Sequence, residues 1–68
     1  MGKIVRIREF LSKYGSYYTV WYEDGSKRNY WDETPEIVSF IEYAHEKGIV
    51  SENAQCKEYS ADPKFETL

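Results

Sequence analysis

One histidine and one cysteine, His45 and Cys56, are all that this 68-residue chain carries of two residue types central to nucleophilic and metal-assisted chemistry. A single cysteine excludes an intrachain disulfide. With no signal-type apolar segment, the expected setting is a reduced, cytoplasmic one. Apolar runs reach only two or three residues, far short of the roughly 20 that a membrane-spanning helix needs. Glycine and proline are also scarce, at four and two residues. The chain has no glycine-rich phosphate loop, nucleophile elbow or paired-cysteine zinc pattern.

These absences weigh against catalysis. His45 and Cys56 could form a thiolate pair only with a third group to orient them, and none is evident, so His45 reads as a packing residue and Cys56 as a small apolar filler. Asp32, Glu33 and Glu36 cluster as metal ligands sometimes do. They lack the spacing of a calcium loop, however, and helix capping accounts for all three. The expectation is a protein that is not an enzyme and has no cofactor and no metal.

Aromatic residues are abundant: two Trp, seven Tyr and three Phe. Rings of this size bury roughly 150–250 Å² each, which suits a chain too short for a thick core. Dimerisation is the other common remedy, and a homodimer is compatible with this composition. Half of the rings fall between Tyr17 and Trp31, on either side of Asp24-Gly25, a pair that favours a two-residue hairpin turn. That turn pairs Tyr22 with Lys27, Trp21 with Arg28, Val20 with Asn29, Thr19 with Tyr30 and Tyr18 with Trp31. Paired residues share a side of the sheet. One side then carries Tyr18, Val20, Tyr22 and Trp31, and the other carries Tyr17, Trp21 and Tyr30 with Arg28 beside the indole. Both sides are aromatic, and one small domain covers only one of them.

Upstream, Lys3 to Leu11 alternates as a first strand, with Val5, Ile7 and Leu11 on one side and Arg6 and Arg8 on the other, while Ile4 and Phe10 fall on the polar side. Lys13-Tyr14-Gly15-Ser16 turns that strand antiparallel to the next. Downstream, Thr34 and Pro35 make a strong helix start, and Gly48 makes a stop. Between them Ile37, Phe40, Ile41 and Ala44 recur at helical spacing. The expected fold class is therefore α+β: a three-stranded antiparallel meander over residues 3–31, one amphipathic helix over 35–47 packed on one face, and a flexible C-terminal tail. Residues 1–59 form the single domain and 60–68 the tail. Ser51 caps a brief second helix through Glu58 in this reading. The expected core is Val5, Ile7, Val20, Ile37, Ile41 and Ala44 with one aromatic set.

Charge divides the chain. Residues 1–31 hold six cations against three acids, and residues 32–68 hold three cations against nine acids, so the halves carry +3 and −6. Two binding surfaces follow. The acidic one comprises Asp32, Glu33, Glu36, Glu42, Glu46 and Glu52, and such a row imitates phosphates toward a basic, DNA-binding protein. Glu42 and Glu46 sit four apart and repel, at a cost of a few tenths of a kcal/mol to the helix. The other surface comprises Arg6, Arg8, Tyr17, Trp21, Arg28 and Tyr30, cations interleaved with rings in the manner that single-stranded nucleic acid uses. The preferred expectation is a protein-interaction module, an inhibitor or adaptor such as viruses and other mobile elements make against host factors. Nucleic acid on the aromatic face is the alternative, and a membrane partner is not expected.

Overall fold

The computed structural model describes residues 2–47 and 49–61. Five strands and one helix follow in the order β1 (Ile4–Ser12), β2 (Gly15–Tyr22), β3 (Lys27–Tyr30), α1 (Pro35–Lys47), β4 (Ile49–Glu52) and β5 (Cys56–Ser60). All neighbouring strands are antiparallel, in the spatial order β3-β2-β1-β5-β4. The α+β class and the N-terminal meander match the sequence reading. The sheet has five strands rather than three, because the expected second helix after Ser51 is a hairpin. Asn53 makes that turn: its side-chain oxygen accepts the Gln55 and Cys56 amides at 2.8 and 3.0 Å, and its own amide donates to the Cys56 carbonyl. An Asn side chain that satisfies two amides in this way stabilises a turn against helix.

The helix starts as its residues dictate. Thr34 Oγ1 accepts the Ile37 amide at 3.2 Å, and the Thr34 carbonyl accepts the Val38 amide at 3.0 Å. Pro35 follows at the first helical position, where it forfeits no hydrogen bond. Ile37, Phe40 and Ala44 are buried against the sheet, while Ile41 is only half-buried. The expected stop at Gly48 lies outside the described residues. So does most of the expected tail, but Ser60 closes β5, fully buried, and Ala61 packs against the core.

Two register details differ from the sequence reading. In β1, Ile4 pairs with Tyr22 and Arg6 with Trp21, so Val5 is the extra residue of a bulge. Ile4 then packs against the core, and Val5, expected there, is half-buried. In the β2–β3 hairpin, the Gly25 amide donates to the Tyr22 carbonyl at 3.0 Å and the Tyr22 amide donates to the Ser26 carbonyl at 2.9 Å. The loop is thus three residues, Glu23-Asp24-Gly25, with only Gly25 at positive φ (90°). A two-residue turn of the expected type needs positive φ at Asp24 as well. Asp24 instead accepts the amide and hydroxyl of Ser26 at 2.9 and 2.6 Å, which holds its carboxyl below the usual range.

One residue of difference turns β3 over. Tyr18 pairs with Tyr30, Val20 with Arg28 and Trp21 with Lys27. Tyr30 and Arg28 therefore belong to the side of Tyr18, Val20 and Tyr22. That is the side α1 covers, and its core is Ile7, Tyr18, Val20, Tyr22, Ile37, Phe40, Ala44 and Tyr59. The helix packs on β1, β5 and β4 and leaves the opposite side of the sheet open.

Candidate interaction surface

Alternation along the strands assigns the open side its residues: Arg6, Arg8 and Phe10 from β1, Tyr17, Thr19 and Trp21 from β2, Lys27 and Asn29 from β3, Ile49 and Ser51 from β4, and Cys56, Glu58 and Ser60 from β5. Their rings form a row. Phe10 stacks on Tyr17 with centroids 4.8 Å apart and planes 12° from parallel. Beyond Tyr17 lies Trp31, just past the end of β3, at 5.1 Å and 46°. Trp31 is 75% exposed. On the other flank the Arg6 guanidinium lies 4.9 Å from the Trp21 ring centroid, and that of Arg8 lies 5.4 Å from Trp21 and 5.8 Å from Phe10. Such contacts contribute about 0.5–1 kcal/mol at exposed sites and more where water is excluded.

Glu58 ties the two cations together. Its Oε1 accepts hydrogen bonds from Arg6 Nε at 2.9 Å and from Arg6 Nη2, and lies 3.4 Å from Arg8 Nη2. Burial opposes ionisation of this carboxyl, but the Arg6 hydrogen bond and charge, with that of Arg8, prevail and hold it below the usual carboxylate range. Arg8 Nε is buried without a hydrogen-bond acceptor among the described residues. The guanidiniums are thus held over rings, one carboxylate between them. Among the described residues of its strands the side bears three cations, Arg6, Arg8 and Lys27, against one acid, Glu58, within a chain of net charge −3.

Of the six aromatic and basic residues that the sequence reading grouped, the structure brings together Arg6, Arg8, Tyr17 and Trp21. Arg28 and Tyr30 lie on the helix side, where Tyr30 shares a 3.0 Å hydroxyl contact with Tyr22. Lys27 replaces Arg28 opposite Trp21. Phe10, Trp31 and Glu58 were missed. Phe10 was legible, since it alternates in phase with Arg6 and Arg8; Glu58 required a β5 that the sequence reading did not contain.

The acidic residues do not form one row. Glu36, Glu42 and Glu46 are exposed on α1, with Glu36 about a third of a turn around the helix from the other two. None of these three joins an ion pair among the described residues, whereas Glu52 lies 3.4 Å from Lys57. Asp32 is exposed before the helix, and Glu33 accepts the Tyr18 hydroxyl at 2.8 Å. A cleft of about 940 Å³ lies on this side of the molecule, walled by Ile4, Tyr22, Tyr30, Ile37, Phe40 and Tyr43.

His45 and Cys56 do not meet: His45 sits edge-on to Tyr59 on the helix side, and Cys56 pairs with Phe10 on the open side. Among the described residues no three His, Cys, Asp or Glu side chains are grouped as metal ligands, and no helix is long and apolar enough to cross a membrane. Compared with protein-family models, curated proteins and solved structures, the chain matches none of them.

Proposed function

We propose that this protein is a non-enzymatic interaction module whose contact surface is the open side of the sheet. One observation carries the reading: rings and guanidiniums are locked in place by one another on a side that α1 leaves bare. Partner binding at such a surface loses little side-chain freedom, because the arrangement exists beforehand. Rings and arginines are also the side chains that contribute most at binding surfaces.

A second reading rests on the helix. Glu36, Glu42 and Glu46 project from α1 without an ion-pair partner among the described residues, and such a group suits an inhibitor that occupies a basic, nucleic-acid-binding protein. Comparing what the tagged wild-type chain, Trp31→Ala and Glu42→Lys/Glu46→Lys each retain from a cell extract separates the two. The sheet reading expects loss with Trp31→Ala alone. Loss only with the helix reversal overturns it in favour of the acidic surface.

A further inference from the structure

Resting on the open side as the contact surface, we infer that its occupant is single-stranded nucleic acid, with a base stacked on the exposed Trp31 ring, next to the half-buried Tyr17, and backbone phosphates drawn to Arg6, Arg8 and Lys27. Charge is the first argument. The chain as a whole is acidic, yet among the described strand residues cations outnumber acids three to one on this side, so an anionic partner is attracted here and repelled from the helix. Shape is the second. The ring row runs across β1 and β2 and ends in the 75% exposed Trp31. Stacking on it requires bases out of a duplex, which single strands offer and paired helices do not.

Glu58 is the third argument. Its carboxylate already lies where a phosphate would, between two guanidiniums that rings hold in position. An incoming phosphate replaces or shares that carboxylate, exchanging one charge-assisted oxyanion contact for another. Glu58 therefore keeps the arginines aligned in the free protein and competes with the strand for them. Removing its charge while keeping its shape should tighten binding, which no purely structural role for Glu58 predicts.

The test is a titration of the intact chain with oligothymidylate of about ten nucleotides, within the usual site sizes for sheet-based binders, read by quenching of tryptophan fluorescence. Saturable quenching is expected, with a single strand preferred over the same sequence as duplex. Three phosphate contacts give a slope of about −2 in log affinity against log salt concentration. Trp31→Ala and Lys27→Gln, both at exposed positions, should each weaken binding several-fold, and Arg6→Gln with Arg8→Gln should weaken it at least tenfold. Glu58→Gln should strengthen it several-fold, with an unchanged melting profile as the control for folding.

Absence of quenching at low salt, binding indifferent to salt, or equal binding of duplex overturns the inference. Should oligothymidylate fail while Trp31→Ala still abolishes retention of a protein from the extract, the open side remains the contact surface and its occupant is a protein. If Trp31→Ala alters neither assay, both the occupant and the surface are wrong.

Discussion

The two sides of this sheet are built from the same kinds of residue and hold them in opposite ways. On the helix side the tyrosine rings are buried, and their hydroxyls find partners: Tyr18 donates to Glu33 at 2.8 Å, Tyr59 to Glu9 at 3.0 Å, and Tyr22 meets Tyr30 at 3.0 Å. On the open side no other element among the described residues covers the rings, and they hold one another through stacking and through two arginines. The described residues hold a single helix with which to cover the sheet, and surface scales against a chain of this size. Burial stabilises the first side, and mutual contact keeps the second ordered while accessible. The buried core and the proposed binding surface thereby lie on different sides of one sheet.

The largest expected difference between the sides lies in truncation. Ile7 is fully buried in the central strand beneath the helix, and Ile7→Ala should lower stability by about 2–5 kcal/mol. That is much of the total for a domain expected to have roughly 0.05–0.15 kcal/mol per residue. Trp31→Ala, at an exposed position, should stay within about 0.5 kcal/mol. Urea denaturation of both variants measures the contrast, and comparable losses would mean that the open side is structural after all.

Alkali should also act on the helix side. Burial, then the Glu9 hydrogen bond, pushes the Tyr59 phenol up to about 12, and the Tyr30 hydrogen bond with burial pushes Tyr22 up to about 12. Burial and the Glu33 hydrogen bond raise Tyr18 as well. A raised phenol favours the folded state while it is protonated. Its contribution is complete below the ordinary tyrosine value of about 10 and is lost as pH rises from there toward 12. Circular dichroism and phenolate absorbance followed together should show late, cooperative ionisation of these tyrosines with unfolding. Phenolate from all seven tyrosines forming near pH 10 in a still-folded chain would place these three rings in contact with water.

Gly25 sharpens the comparison, because the hairpin decides which rings go to which side. Its φ is 90° and nothing lies within 4 Å of a Cβ built there. Gly25→Val therefore tests backbone conformation without steric collision. A cost of about 1–3 kcal/mol is expected, or a drop of several degrees in melting temperature at about 4–8 °C per kcal/mol for a domain of this size. Gly25→Asn should cost less, since Asn tolerates positive φ. An unchanged melting temperature would indicate a loop that re-forms with another register, and loss of the Tyr18–Tyr30 contact by NMR would confirm it.

That loop also marks how far the sequence can be read. Patterns repeated over many residues were legible: the period of Ile37, Phe40 and Ala44, the Thr34-Pro35 start, and the alternation that set Arg6, Arg8 and Phe10 on one side of β1. Features resting on one residue were not. Asp24-Gly25 suits both a two-residue and a three-residue loop, and the choice moved Tyr30 and Arg28 off the candidate surface. Val5 looks like a core residue in a regular strand, and only the pairing of Ile4 and Arg6 across the bulge shows otherwise. β5 was hidden because Cys56, Glu58 and Ser60 are not an apolar set. They face the open side, where Glu58 serves the arginines and Ser60 is buried among its neighbours, so the usual apolar-polar contrast is blurred.

The smallest effect on stability belongs to the acidic helix, and it bears on the rival surface. Reversing Glu42 and Glu46 to Lys replaces one repelling pair, four residues apart, with another. It also moves positive charge toward the C-terminal end of α1, where the helix dipole favours it by a few tenths of a kcal/mol. Both positions are exposed and without ion-pair partners among the described residues, so no buried contact is lost. Denaturation should register a change within about 0.5 kcal/mol, of either sign. Oligothymidylate affinity should rise slightly at low salt, because the far side of the molecule repels the strand less, and the gain should vanish as added salt shortens the Debye length below roughly 10 Å. An increase that survives high salt would place these residues in contact with the strand, and the two sides of the sheet would no longer have separate roles.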